Sequence, residues 1–460
     1  MKIKCDRGHS DKPSVVIVGA GPAGATAALL LARNGINVTL IEREPDFERV
    51  FRGEALLPLG LDALAQMNLL SLVQQIPSRP VRSWDMYVVG QRTMQVFEPQ
   101  EELGDRSVRV VSQPAFLRAV IAEAQSYPTF KLRMGTTVRN LRHEKERICG
   151  VSIDTPNGQQ TLYADLVLGC DGRGSVLRTL SGTQLNLLPE SYDLLWFRFP
   201  APKALTGQTD VMLLGSYKHS ALCYNSFDDY MRYALLLPKG TLSNNQLKKM
   251  SLADWANELA EPAPKWLGAH IREVQDQIEK PIRLNVLVGR AESWAVPGLL
   301  LLGDAAHPMS PVRAQGINLA LRDVIVAMND LLPLLKADAP SYQLDMAANN
   351  VQVKRLPEIE RAQALQLREA RGHNNTWLRP LLISVAKWTG PIFARYAWAQ
   401  NAWLQQQHDL RFGSASVVFE QSLNSSATNH GIGKEVSELE HPVERQKSDQ
   451  PFPAEYANHV

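Results

Sequence analysis

Short apolar runs closed by glycine or a polar residue punctuate the first two thirds of the chain. Val15–Val18, Asn37–Ile41, Leu166–Leu168 and Leu299–Leu302 read as strands. Near-continuous apolar runs of this length suit strands covered on both faces, as in a parallel sheet. Pro22 to Asn34 reads as a helix: proline suits a first turn, where its missing N–H is not needed, and Gly35 suits the left-handed exit. The first two strands and this helix make one β-α-β unit. A second pattern follows. Tyr192–Pro200, Val211–Ser216, Ala221–Phe227 and Arg232–Pro238 are strand-like stretches separated by turn residues, and predict an antiparallel sheet that Trp84–Val96 joins. Ser251 caps a predicted helix from Leu252 to Leu259. Beyond Ala337 the pattern is helical to about Leu410, and the polar stretch from Asn424 to Val460 is expected to be disordered.

Composition narrows the class without choosing a function. The 460 residues are 45% hydrophobic and 21% charged, ordinary values for a globular protein, and the formal charge of +2 gives no reason to expect nucleic acid or an anionic membrane as a partner. The four cysteines (Cys5, Cys149, Cys170, Cys223) have neither zinc-like nor CxxC spacing, so free thiols in a reducing compartment are expected, with Cys170 a buried filler and no metal site. Met1 to Ser14 lacks the apolar core of a signal peptide, and no run reaches the ~18 residues of a membrane span. These features predict a cytoplasmic protein.

Three segments place glycine and a polar group just past a buried-strand pattern, where open α/β sheets bind ligands. They are Gly19-Ala20-Gly21-Pro22-Ala23-Gly24, Cys170-Asp171-Gly172-Arg173-Gly174-Ser175-Val176-Leu177-Arg178 and Gly303-Asp304-Ala305-Ala306-His307-Pro308. In the first, Gly19 allows the tight turn, Gly21 lets a pyrophosphate approach the backbone, and Gly24 lets helix and strand pack closely. The helix N-terminus, which opens with Pro22, offers the free N–H groups of Ala23 and the residue after it and a partial positive charge. Glu42 ends the second strand near the ~20-residue offset at which an acid accepts ribose hydroxyls, which favours FAD or NAD over NADP. Taken together, the three segments point to FAD.

From about Pro13 to Leu335 the chain resembles the flavin-dependent aromatic hydroxylases of the para-hydroxybenzoate hydroxylase type. The resemblance implies that Gly303 and Asp304 meet the flavin ribityl chain, where a carboxylate can accept hydroxyl bonds. It implies that Pro311 lies beside the isoalloxazine and that Gln315-Gly316-Ile317-Asn318 opens a helix toward its pyrimidine edge. Asp171, Gly172, Ser175 and Arg178 match the family's Asp-Gly motif, though a capping role for Asp171 stays open. Arg52 matches an arginine that reaches FAD, and Gln113 and Arg118 resemble a helix start that contacts the cofactor; for both arginines a plain surface role is the alternative. His307 is read as structural. Where relatives usually carry glycine this chain has Ala314, beside a bulky Arg313, so a locally remodelled flavin pocket is expected.

The fold implied is α/β: a Rossmann-like FAD/NAD(P)-binding domain (13–80, 115–182 and 290–335) interleaved with an antiparallel β-sheet substrate domain (81–114 and 183–289), then C-terminal helices (336–412) and a tail (424–460). The activity implied is an FAD-dependent monooxygenase. It would use NADH or NADPH and O2 to hydroxylate an electron-rich, aromatic or lipophilic small molecule through a flavin C4a-hydroperoxide. No catalytic side chain is assigned; the cofactor carries such chemistry while the protein binds, orients and excludes water. A flavin-dependent halogenase, an isoprenoid-chain reductase and a flavin-binding protein without turnover are the alternatives, although the halogenase Trp-x-Trp-x-Ile-Pro run is missing. Tyr217, His219, Tyr224 and Arg232 are substrate-contact candidates, with ordinary sheet surface the first reading. The Trp-rich stretch Trp377–Trp403 suits helices packed on the FAD domain or a dimer contact better than a lipid-facing surface, and the protein is expected as monomer or homodimer.

Overall fold

The computed structural model describes residues 13–48, 53–155, 158–189, 192–284, 286–374, 379–393 and 396–420. Arg52, Cys5 and the stretch 424–460 lie outside them.

A six-stranded sheet runs in the order Ala295–Val296, Leu299–Leu301, Leu166–Gly169, Ser14–Val18, Asn37–Ile41, Phe130–Arg133. Every pairing is parallel except that of the short edge strand Ala295–Val296. Val16 stands opposite both Val167 and Thr39, so the strand carrying the first glycine segment is central. The four residues Leu166–Gly169 are all buried, which is why this strand reads as an unbroken apolar run. The helix Pro22–Arg33 buries ten consecutive residues, Ala23 to Ala32, against neighbours that include the helix Gln315–Lys336. Gly35 then reverses the chain at φ +77°.

A seven-stranded sheet forms the second layer, in the order Ile282–Leu284, Tyr192–Pro200, Tyr230–Pro238, Ser220–Asn225, Asp210–Gly215, Ser83–Val88, Gln91–Phe97. Its two faces follow the period of two. Leu195, Phe197 and Phe199 pack in one cluster with Trp255 and Leu259 of the helix Leu252–Ala260 and with Leu267 and Ile271 of the helix Lys265–Glu273, Phe197 meeting Trp255 edge-on at 5.1 Å. Leu194 and Trp196 point the other way, into the main core. Ser251 caps as expected, within a capping box completed by Asp254. One pairing departs from the antiparallel expectation: Asp210–Gly215 runs parallel to Ser83–Val88. The two strands are separated by a return of the chain through the first sheet, and a long crossover of that kind permits parallel pairing where a hairpin cannot. Helices Ser341–Asn374, Arg379–Phe393, Ala397–Gln406 and His408–Phe412 follow. No helix among the described residues is long and apolar enough to cross a membrane.

Candidate functional site

The first glycine segment is shaped by close contacts. Gly19 has φ +100°, and a Cβ on it would lie 2.3 Å from the Cys170 carbonyl oxygen. A Cβ on Gly24 would lie 1.9 Å from the carbonyl oxygen of Gly19, so strand, helix and the second segment meet here at backbone distance. Gly21 is different: nothing lies within 4 Å of its Cβ position, which opens on the cavity. Gly21 is the N-cap of the Pro22 helix, and no side chain caps that terminus. An uncapped N-terminus over an open floor fits a pyrophosphate. Glu42 lines the same cavity, its Oε2 accepting from the Ala20 N–H at 2.9 Å and its Oε1 from the Glu44 N–H at 3.0 Å. The backbone therefore fixes this carboxylate in place.

The second and third segments are tied to each other. Asp171 lines the cavity, yet its carboxylate accepts from the Ser175 hydroxyl (2.6 Å), the Val176 N–H (2.7 Å) and the Leu177 N–H (3.1 Å). It works as a cap for the helix Val176–Leu180, and burial pushes its carboxyl above the ordinary range despite those bonds. Arg178, behind the cavity wall, donates to the carbonyls of Ala305 (2.7 Å) and Arg173 (2.8 Å). Arg173 donates from Nε to Asp304 Oδ2 at 3.1 Å, and Asp304 lines the cavity beside Gly303. His307 is fully buried: its Nε2 bonds Asp323 at 2.6 Å, and its ring lies 4.8 Å from that of Trp294. Asp323 also accepts from the Gly303 N–H (3.1 Å) and from Arg355 Nε (2.8 Å). His307 thus braces the Asp304 turn from behind.

The turn before the Gln315 helix carries two left-handed non-glycine residues in succession, Arg313 (φ 65°) and Ala314 (φ 50°). Glu369 holds the Arg313 guanidinium at 2.9 Å. Pro311 and Gly316 line the cavity. Asn318 is not among the lining residues. Its fully buried amide accepts from the Leu57 N–H (2.9 Å) and donates to the carbonyls of Ala314 (2.6 Å) and Ala55 (3.2 Å), so it clasps the turn to the strand Ala55–Leu56. Gln113 lines the cavity at the start of its helix. Arg118, from the same helix, points away and pairs with Glu48 on the surface.

The cavity, about 1400 Å³, continues from these three segments to the sheet, where Trp196, Val211, Leu213, Ala234 and Leu236 form an apolar wall. Ligand sites commonly measure roughly 300–1,000 Å³, so this space exceeds the needs of one small ligand. Of the four sheet candidates only Tyr224 lines it. Arg232 is buried behind, His219 bonds Glu258 at 2.5 Å, and Tyr217 is exposed. Sequence reasoning missed Glu54. It lines the cavity, accepts from Arg232 Nε (3.0 Å), the Ser226 hydroxyl (2.8 Å) and the Tyr224 hydroxyl (3.4 Å), and burial pushes its carboxyl above the ordinary range against the pull of Arg232. Its signal was an acid two residues past Arg52, just ahead of the apolar run Ala55–Leu57.

Residues 12–354 match the family described as "FAD binding domain". The chain belongs to that family. A 6-methylpretetramide 4-monooxygenase of Streptomyces rimosus is 30% identical over 377 residues, 80% of this chain and 85% of the relative. A squalene monooxygenase of Panax ginseng is 27% identical over 333 residues; the match covers 71% of this chain and only 59% of that protein. Among solved structures, the p-nitrophenol 4-monooxygenase PnpA of Pseudomonas putida superimposes with a TM-score of 0.71 at 18% identity, covering 88% of this chain and 99% of that one. PqsL of P. aeruginosa, in complex with 2-aminobenzoylacetate, does so with 0.68 at 19%, covering 81% and 99%. These two likenesses speak for the fold. Family membership and the 30% relative make the chain an FAD-dependent oxidoreductase of the monooxygenase type.

Proposed function

We propose that this enzyme uses NADH or NADPH and O2 to hydroxylate an apolar, electron-rich small molecule seated against the seven-stranded sheet. The observation that carries the reading is the single cavity that joins the three glycine-bearing segments to an apolar sheet face. Gly19 to Gly24 and the Pro22 helix would hold the pyrophosphate, Glu42 the adenosine ribose, and Asp304 the ribityl hydroxyls. Pro311, Gly316 and Gln113 would line the ring end, and Asp171 would shape the floor through its capped helix. FAD held there would supply the redox chemistry, hydride acceptance and O2 activation. The chain's own part is to bind, orient and keep water out. Trp196, Leu213 and Leu236 give the substrate an apolar wall, and Glu54 offers the substrate's polar group an anchored proton acceptor. The interleaved segments 13–80, 115–182 and 290–335 form the cofactor domain in this reading, and 81–114 with 183–289 the substrate domain. We place the protein in the cytoplasm from its four scattered cysteines, which have neither zinc-like nor CxxC spacing.

The test is a stopped-flow screen of phenols and fused-ring aromatics for compounds that accelerate flavin reduction by NADPH or NADH in the FAD-loaded enzyme. Acceleration with incorporation of one oxygen atom from ¹⁸O₂ into product is expected. Reduction that every compound leaves unchanged, in protein that retains FAD, would overturn the substrate reading.

A further inference from the structure

The helix Arg379–Phe393 has two unlike faces. Leu381, Val385, Trp388 and Ile392 are each between 50% and 75% exposed. Their spacing of four, three and four residues places them within an arc of about 60° on an α-helix. Ile383 and Gly390 fall on the opposite side. Ile383 packs at Gly215 of the seven-stranded sheet and lines the cavity, and Gly390 packs against Thr93. The inner face is thus the outer wall of the cavity, and the outer face is bare apolar surface. Just beyond the helix, Tyr396 and Trp398 are also exposed, with their rings 6.4 Å apart. An isolated exposed Leu needs no explanation, but a contiguous stripe ending in two further aromatics marks a contact surface.

Charge selects the occupant. Between Glu369 and Asp409 the sequence carries Arg371, Arg379, Lys387 and Arg395 and no acidic residue, a local charge of +4 in a chain whose total is +2. The rest of the chain is therefore net −2. A second copy of this chain on the same face would be related by a two-fold axis and would set this basic segment against itself. An anionic lipid surface complements it, and Trp and Tyr favour the depth of lipid headgroups. The helix is 15 residues long, too short and too polar on its flanks to span, but suited to lie in the plane of an interface.

We propose that the outward face of the helix Arg379–Phe393, with Tyr396 and Trp398, docks the enzyme on an anionic membrane surface. This goes beyond the proposed activity and does not depend on it. Docking would place the wall of the cavity's apolar end against the bilayer, a short route for a lipophilic substrate.

The test uses the full-length, FAD-loaded protein without substrate, in co-sedimentation with vesicles of phosphatidylcholine and of phosphatidylcholine mixed with phosphatidylglycerol. Binding to the mixed vesicles, weakened by salt, is expected. The double variant Trp388→Ser, Ile392→Ser should lose affinity at least about tenfold, since two large apolar side chains leave the interface. Both positions are exposed, so the variant should keep its flavin absorbance and far-UV circular dichroism. A second variant, Lys387→Gln with Arg395→Gln, should weaken binding to mixed vesicles selectively. Three outcomes overturn the proposal: no binding by folded wild type, equal and salt-insensitive binding to neutral vesicles, or a dimer on size exclusion that the Trp388→Ser, Ile392→Ser variant dissolves. The last would give the face to a second copy.

Discussion

Arg173 donates from Nε to Asp304 Oδ2 at 3.1 Å, across 131 residues of sequence, and so locks the second glycine-bearing segment to the third. Both side chains are about one-third exposed, so the pair itself contributes at most about 1 kcal/mol. Its effect is positional: it aims the carboxylate that we assign to the ribityl chain. Asp304→Ala removes the acceptor as well as the pair, and should weaken FAD binding about tenfold to a hundredfold, the usual worth of a hydrogen bond to a charged group. Arg173→Ala should cost only about fivefold or less. Fluorescence titration of apoprotein with FAD distinguishes the two, and equal losses would show that the pair, not the carboxylate, is what matters.

Ala314 sits at φ 50° with its side chain carrying no polar contact to lose. The left-handed conformation costs a residue with a Cβ about 1–2 kcal/mol. Glycine gives back about 0.5–1 kcal/mol through the greater freedom of the unfolded chain. Ala314→Gly should therefore stabilise the protein, by up to about 1 kcal/mol. A lower Tm for the glycine variant, measured by differential scanning fluorimetry without FAD, would show that the turn is not strained as described. Arg313 offers no such clean test, because its guanidinium is held by Glu369.

Behind the Asp304 turn, Asp323 and Arg355 are both fully buried and paired at 2.8 Å. Burial alone would raise the Asp323 carboxyl, but His307 and Arg355 beside it outweigh that and hold it below the ordinary 3.8. Its folded value is thus below its unfolded one. The stabilisation is complete above the unfolded value and is lost as pH falls below about 3.8 toward the folded one. Asp323→Asn should cost about 3–5 kcal/mol at neutral pH, because Arg355 is left buried with only Glu358 as counter-charge. The variant should also show a shallower loss of stability in the acid limb. Denaturant titrations at neutral and acid pH would reveal a flat difference if Asp323 were not the titrating group.

The parallel-sheet strands, the Pro22 helix, the left-handed Gly35 and the capped Leu252 helix were legible because each rests on a local pattern: an unbroken apolar run, a proline at a first turn, a glycine at an exit, a serine before a helix. The three segments were legible for the same reason. What the sequence hid is partnership at distance. Asn318 has the right type and place to meet a cofactor, but its amide is consumed by Leu57, 261 residues away, and by Ala55 and Ala314. Arg178 likewise spends its guanidinium on the Ala305 carbonyl, 127 residues away, whereas Asp171 takes the local capping role that its motif left open. The parallel pairing of Asp210–Gly215 with Ser83–Val88 depends on a chain return that strand patterns do not record. Arg118 takes the surface role that its sequence left open, and its partner Glu48 comes from another part of the chain.

Glu54 is the sharpest test of the substrate assignment. Burial raises its carboxyl above the ordinary 4.5, although Arg232 and Ser226 pull the other way. A folded value above the unfolded one means that the folded protein holds this proton more tightly. Ionisation as pH rises through that window therefore costs stability, and changes what Glu54 offers a substrate from a donor to an acceptor. Glu54→Gln keeps the shape and a carbonyl oxygen for Ser226, while Arg232 keeps Asp228 at 2.9 Å, so the cluster is not left with a bare cation. The variant should bind FAD as before. Its kcat/KM for an accepted substrate should fall about tenfold to a hundredfold, matching the loss of one charge-assisted hydrogen bond. The wild-type rise of kcat/KM with pH, beginning above 4.5, should flatten in the variant. Superimposable pH profiles would assign that titration to another group, and unchanged kcat/KM would remove Glu54 from the substrate's surroundings.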